Sequence, residues 1–211
     1  MTRLPFPNRR EAGRLLAAEV GRRTLPDAIV LALPRGGVPI GFEVAQALNA
    51  PLDAVVVRKV GVPWQPELAM GAVVGESVAL DRQIIRELGI SQKEVDAVVE
   101  EERAELVRRE KLYRGRRPAP DLRGRSAVLV DDGLATGSTM LAAARFVRGW
   151  GPAMLIIAVP VGSFEACELL KSESDECICL AKPNPFIGVG KWYADFQQVS
   201  DAEVIRLLDE N

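Results

Sequence analysis

The sequence predicts a single α/β domain: a parallel sheet with helices on its faces. Three observations predict it. Short apolar runs at residues 28–33 (AIVLAL), 128–130 (VLV) and 153–160 (AMLIIAVP) end at Pro or Asp, as strands buried on both faces do. Segments with apolar residues at helical spacing lie between such runs, so strands alternate with helices. The 211 residues are 48% apolar and 27% charged, enough for one core of ordinary composition. There is no internal repeat or low-complexity tract, so residues 1–211 read as one domain.

Taken in order, residues 8–23 open with a capping signal, Asn8 and Glu11, and continue as an amphipathic helix through Leu15, Leu16 and Val20. The run 28–33 is a strand stopped by Pro34, and Pro34-Arg35-Gly36-Gly37 is a turn. Residues 38–49 form a helix and 52–60 (LDAVVVRKV) the next strand, which completes a βαβ unit. Residues 61–75, rich in Gly and Pro with Trp64 and Glu67, read as a long loop reaching into a short strand pair at 72–74 and 77–79. A short helix at 81–88 precedes a charged one at 91–113, which starts at a capping box (Ser91, Glu94) and carries a narrow apolar stripe of Val95, Val98, Val99, Leu106 and Val107. Residues 115–124 link to the central strand, a helix follows it, and 153–160 is the next strand. A helix at 163–170 and a strand at 176–180 follow. Residues 182–199 are aromatic and Gly/Pro-rich, forming a small C-terminal hood, and a capped helix at 200–208 closes the fold. Residues 81–114 read as a helical insertion.

Charge and residue usage narrow the chemistry. A net charge of −2 disfavours a nucleic-acid partner, although the cluster from Arg108-Arg109 to Arg117 is basic. No apolar run reaches transmembrane length and no signal peptide is visible at the start, so the expected location is the cytoplasm. Cys167, Cys177 and Cys179 fit buried free thiols better than a disulfide framework or a metal site. The absence of histidine removes His triads, His-ligated zinc and the commonest general base, leaving carboxylates, cations, backbone donors or Mg2+.

The chemistry concentrates at 128–140, VLVDDGLATGSTM. An apolar strand ends in Asp131 and Asp132, and the small-residue loop after them opens a helix. The first turn of a helix has unpaired N–H groups and a positive dipole end. Thr136, Ser138 and Thr139 add hydroxyl donors, and the glycines permit close backbone approach. Adjacent carboxylates would repel a bare phosphate, but suit sugar hydroxyls or a hydrated Mg2+. The expected ligand is a sugar phosphate. No Lys follows Gly137, so the Walker pattern is absent. An ordinary strand–turn–helix with a polar cap is the bland alternative.

This stretch resembles the 5-phosphoribosyl diphosphate (PRPP) motif of the type I phosphoribosyltransferases, a Rossmann-like fold. The resemblance implies that Asp131 and Asp132 hold the ribose hydroxyls, directly or through metal-bound water. Ala135, Thr136, Gly137, Ser138 and Thr139 would hold the 5-phosphate. It makes Pro34, Arg35, Gly36 and Gly37 the diphosphate loop, with a non-proline cis peptide at Pro34–Arg35. Arg58 and Lys59 would stand as a basic pair beside the diphosphate, and residues 61–75 would be a lid. Residues 183–196 are loosely similar to the purine-binding segment of one branch. Phe186 would stack on a base, and Asp195 would join Asp131 and Asp132 in holding a metal. Pro185 stands where that branch reads a 6-oxo group with Lys, so 6-oxopurine specificity is not implied. Trp192 and Tyr193 are either acceptor-stacking walls or packing of the hood. The implied activity is PRPP-dependent transfer to a nitrogen nucleophile with Mg2+, in a possible homodimer, and the acceptor is an unidentified small molecule. The rival reading is a PRPP-binding regulator without transfer.

Overall fold

The computed structural model describes residues 4–115 and 117–211. Met1-Thr2-Arg3 of the leader judgement and Arg116 of the basic cluster lie outside them. Five strands form a parallel sheet in the order β2-β1-β6-β7-β8: β1 (Ala28–Ala32), β2 (Leu52–Ala54), β6 (Ser126–Val130), β7 (Met154–Val161) and β8 (Glu176–Ala181). Its helices are α1 (Arg9–Val20), α2 (Gly37–Leu48), α5 (Ser138–Gly149), α6 (Phe164–Lys171) and α7 (Asp201–Asp209). The apolar runs alternate faces with the pleat. Val30, Ala32, Val128, Val130 and Ile156 pack with α1, α2 and α7. Ile29, Leu31, Leu129, Leu155 and Ile157 pack with α5 and α6. Both faces are buried, as the unbroken apolar runs require.

The order fixes where a ligand can sit. From β1 the chain moves outward to β2, and from β6 outward through β7 to β8. The strand order therefore reverses between β1 and β6, and the loops leaving their carboxyl ends diverge around a crevice. Their register pairs Ala32 with Val130, so Pro34-Arg35-Gly36-Gly37 and Asp131-Asp132 leave the sheet side by side.

Two expectations need correction. The strand predicted at 52–60 is two strands in two sheets. β2 ends at Ala54, and β3 (Val57–Val62) belongs to a separate antiparallel sheet with β4 (Gln65–Val74) and β5 (Ser77–Leu80). The expected long loop at 61–75 is mostly β4, paired with β3 across a register shift at Val60 to Val62. Gly, Pro and bulges in a twisted hairpin read locally as loop signals; the pairing that makes it a strand is not local.

The charged segment is α3 (Arg82–Glu87) followed by α4 (Gln92–Arg114), with the Ser91/Glu94 capping box in place. The buried stripe of α4 runs through Val95, Leu106 and Tyr113, while Val107 is exposed. Val107 lies one residue, or about 100°, from the Leu106 side of the helix. The basic cluster is paired internally: Arg108 and Arg109 with Glu105, Arg114 with Asp53, Arg117 with Asp209. No helix among the described residues is long and apolar enough to cross a membrane.

The hood is built from both ends of the chain. Phe6 bridges to Tyr193, with Phe6 N–H donating to Trp192 O and Ala194 N–H to Phe6 O, each at 2.8 Å. Phe6, Ala12, Val161 and Tyr193 form its core, and Phe186 and Trp192 pack against it.

Candidate active site

The two predicted motifs touch. A Cβ added to Gly36 would overlap Asp132 Oδ2, and one on Gly37 would stand 2.7 Å from Val130 O and 2.9 Å from the Asp131 Cα. Only hydrogen at both positions lets the first loop cross over the acids. The peptide bond Pro34–Arg35 is cis, as the resemblance implied.

Helix caps separate these loops from the rest of the molecule. α1, α3, α4, α6 and α7 each receive a side-chain cap, from Asn8, Asp81, Ser91, Ser163 and Ser200. α2 and α5, capped at Gly36 and Gly137, receive none. These are the two helices that begin at the crevice, so their dipole ends face it without a side-chain cap. Gly137 is left-handed at φ +79°, a conformation that favours glycine. Among the described residues the amides of Ala135, Thr136, Gly137 and Thr139 have no acceptor, and Ser138 N–H reaches only Thr136 Oγ1 at 3.4 Å. At the other loop Gly37 N–H already donates to Leu33 O (3.0 Å) and Val38 N–H to Arg35 O. That corrects the expectation for Gly37: the amides left for an anion are those of Arg35 and Gly36.

The acids are differently placed. Asp131 Oδ1 accepts the Asp132 N–H at 2.8 Å, and Asp131 has no cationic partner among the described residues. Burial, then the charge of Asp132, pushes its carboxyl well above the usual carboxylate range. Burial also raises Asp132, opposed by Arg9. The Arg9 guanidinium donates to Asp132 Oδ2 through Nε at 2.9 Å and approaches it through Nη2 at 2.8 Å. Its Nη1 donates to Gln197 O at 2.7 Å, and its Cζ lies 3.8 Å from the Phe196 ring centre. Sequence reasoning missed Arg9. It stands 123 residues from Asp132, and nothing in the local pattern of α1 separates it from a surface arginine.

Other candidates divide. Lys59 and Arg58 point to opposite faces of β3. Lys59 lines a cavity of about 730 Å³ together with Ser138, Thr139, Leu141, Leu80 and Phe146. Arg58 instead turns to α4 and pairs with Glu102 at 2.7 Å, so it is corrected from diphosphate contact to structural ion pair. Arg35 sits at the loop, its nearest carboxylate Asp201 at 3.8 Å. Of the two alternatives for Tyr193, the structure has the packing one: it is 5% exposed, 5.5 Å from the Phe6 ring, and its hydroxyl donates to Asp132 O at 2.6 Å. Phe186 and Trp192 are half-buried with ring centres 6.4 Å apart. The Trp192 indole N–H is buried and has no acceptor among the described residues. Asp195 is exposed and caps the Gln197 N–H. No three acidic or thiol side chains among the described residues gather as a metal site, so Asp195 does not join Asp131 and Asp132. The three cysteines are free thiols; Cys167 is buried as expected, whereas Cys177 and Cys179 are only half-buried.

Ser163 was also missed as a site residue. Its hydroxyl donates to Ala135 O at 2.7 Å while accepting the Ala166 N–H, and Leu134 N–H donates to Val161 O at 2.9 Å. The loop 133–137 is therefore anchored from β7 and α6.

Comparison with known proteins adds the family. The signature of the phosphoribosyl transferase domain matches residues 8–190, most of the chain. The chain belongs to the phosphoribosyl transferase family. Two curated relatives from Mycobacterium tuberculosis, strains CDC 1551 and H37Rv, are provisionally named phosphoribosyl transferases; each is 44% identical over 205 residues, 97% of this chain. This member of the family spans about half the length of those relatives, 46% of each. The crystal structure of TT1426 from Thermus thermophilus is similar throughout, with a TM-score of 0.85, 42% identity and coverage of 98% of this chain and 99% of that one. AQ2163 from Aquifex aeolicus shares the fold at 13% identity and a TM-score of 0.50, over 82% of this chain and 73% of its own.

Proposed function

We propose that the chain transfers the phosphoribosyl group of PRPP to a nitrogen nucleophile and releases diphosphate. The observation that carries this reading is the meeting of two uncapped helix N-termini at one pair of acids. One loop offers an anion cradle after the acids, the other crosses directly over them, and a molecule with phosphates at both ends of a hydroxylated ring matches that spacing of charges.

In this reading the amides of Ala135, Thr136, Gly137 and Thr139, with the Thr136, Ser138 and Thr139 hydroxyls, hold the 5-phosphate. Asp131 and Asp132 accept from the ribose hydroxyls. The amides of Arg35 and Gly36 and the Arg35 guanidinium hold the diphosphate, and the Lys59 ammonium, which shares a cavity with Ser138 and Thr139, reaches the ligand from the cradle side. The acid pair also fits Mg2+: Asp131 is a buried carboxylate with no cationic partner among the described residues, next to the Asp132 carboxylate that the Gly36 backbone crosses closely. Bound there with PRPP, Mg2+ would neutralise charge growing on the leaving diphosphate. The C1–O bond to diphosphate breaks as the C1–N bond forms, and the acceptor's proton leaves to solvent. Positioning and charge stabilisation dominate such a step, which suits a chain without histidine. The hood face at Phe186 and Trp192 is the place for the acceptor, with the orphaned Trp192 N–H as a donor close to that face.

One observation favours the rival regulator: Arg9 already occupies Asp132. The internal pairing of the basic cluster weighs against a nucleic-acid partner for it. A PRPP-dependent diphosphate-release screen against nucleobases, orotate and small amines separates the two. Transfer predicts release with at least one acceptor; PRPP binding with no release from any of them contradicts transfer.

A further inference from the structure

Three features of Arg9 go beyond what a helix-surface arginine needs. Both of its acid contacts fall on a single oxygen, Asp132 Oδ2, the atom that faces Gly36 of the crossing loop. The two side chains are 12% and 15% exposed, so the pair is largely removed from screening water. Its remaining contacts both go to the hood, through Nη1 to Gln197 O and through the stack on Phe196. The guanidinium thus ties the acid pair to the hood, and it supplies the only cation in contact with that pair among the described residues.

A divalent cation approaching Asp132 meets this arrangement as a competitor. Two cations on one carboxylate oxygen repel strongly in a poorly screened site. Resting on the PRPP reading above, we propose that Arg9 is a positioning residue that competes with the divalent metal for Asp132. Its displacement by metal and sugar phosphate releases the hood segment around Phe196 and Gln197. The freed guanidinium then lies beside the crossing loop, where a planar cation suits a diphosphate oxygen pair. Tyr193 keeps its separate bond to Asp132 O, so the backbone of the acid stays in place while its carboxylate changes partner.

The test measures PRPP binding by calorimetry over a series of Mg2+ concentrations, for the wild type, R9Q and R9K. In R9Q the Mg2+ needed for half-maximal PRPP binding is expected to fall about tenfold, the scale of one close charge pair. R9K, which keeps the charge but not the fork, is expected to shift in the same direction by less. Hydrogen exchange gives a second readout. Hood amides in 194–199 should exchange faster in wild type once Mg2+ and PRPP are added, and should already be fast in unliganded R9Q. A merely structural arginine would weaken PRPP binding equally at every Mg2+ concentration, and that result overturns the proposal. An unchanged or increased Mg2+ requirement in R9Q does so too. If R9Q does not fold, R9K carries the same comparison. Absence of PRPP binding by wild type at any Mg2+ concentration overturns both this proposal and the PRPP reading, whereas binding with unaltered Mg2+ dependence in the variants overturns this one alone.

Discussion

At the scale of single residues, the site depends on atoms that are missing. Gly36 and Gly37 have no Cβ, and the crossing over Asp131 and Asp132 exists only for that reason. Gly36→Ala should displace Asp132 or lift the loop. We expect it to cost about 1–3 kcal/mol of stability as an overpacked contact and to weaken PRPP binding at least about tenfold; thermal melting and calorimetry check the two parts. The tight pair of glycines, the two acids and the TGST loop were legible in the sequence, because each has a chemical purpose stated by its residue type. Arg9, Ser163 and the position of Tyr193 were not. Their roles come from partners 123, 28 and 61 residues away, and no local pattern encodes such distances.

Secondary-structure elements carry the next level of evidence. β3 presents adjacent cations to opposite faces, so one strand gives an internal control. Lys59→Ala should weaken PRPP binding, whereas Arg58→Ala should leave it within about twofold and cost at most about 1 kcal/mol, the usual scale of a partly exposed ion pair. Equal losses of binding in both variants would contradict the split seen here. Ser163 ties a cap to a loop: Ser163→Ala removes the α6 cap and the hydroxyl bond to Ala135 O. A loss of about 1–2 kcal/mol in stability is expected from the cap, with weaker phosphate binding from the loosened loop; inorganic phosphate titrated against both proteins measures the second effect. The parallel strands and their helices were legible because burial on both faces writes continuous apolar runs. The hairpin of β3, β4 and β5 was not, since its glycines, prolines and register shift imitate a loop until the partner strand is known.

For the whole molecule, the hood and the charged helix unite distant parts of the chain. Phe6 and Tyr193 join the two ends, and Tyr113 of α4 donates to Asp201 at the start of α7 at 2.5 Å. These are the only two tyrosines in the sequence. Burial, then the Asp201 carboxylate, pushes the Tyr113 phenol up to about 12. Burial, then Asp132, pushes Tyr193 up as well. A phenol whose folded value lies above the free value of about 10 stabilises the fold below that pH, and the contribution is lost as pH rises toward the folded value. Tyrosinate absorbance should therefore stay low at pH 10, where a free phenol is half ionised, and should appear together with alkaline unfolding between about pH 10 and 12. Ionisation of either tyrosine near pH 10 in folded protein would contradict this burial. The parallel sheet was legible from alternating elements, but the strand order that brings β1 and β6 together was not. That the hood closes on the acids from both chain ends was not, because the pairing of residues 6–7 with 192–195 leaves no sequence period.

The central claim is that two loops and two acids form one PRPP site. Calorimetric titration of PRPP with Mg2+ into the wild type and Asp131→Asn tests it most directly, since Asp131 is the acid that pairs with no cation among the described residues. We expect saturable binding of one PRPP per chain in the wild type, weakened at least about tenfold in the variant. Absence of PRPP binding, or equal affinity in the two proteins, would contradict it.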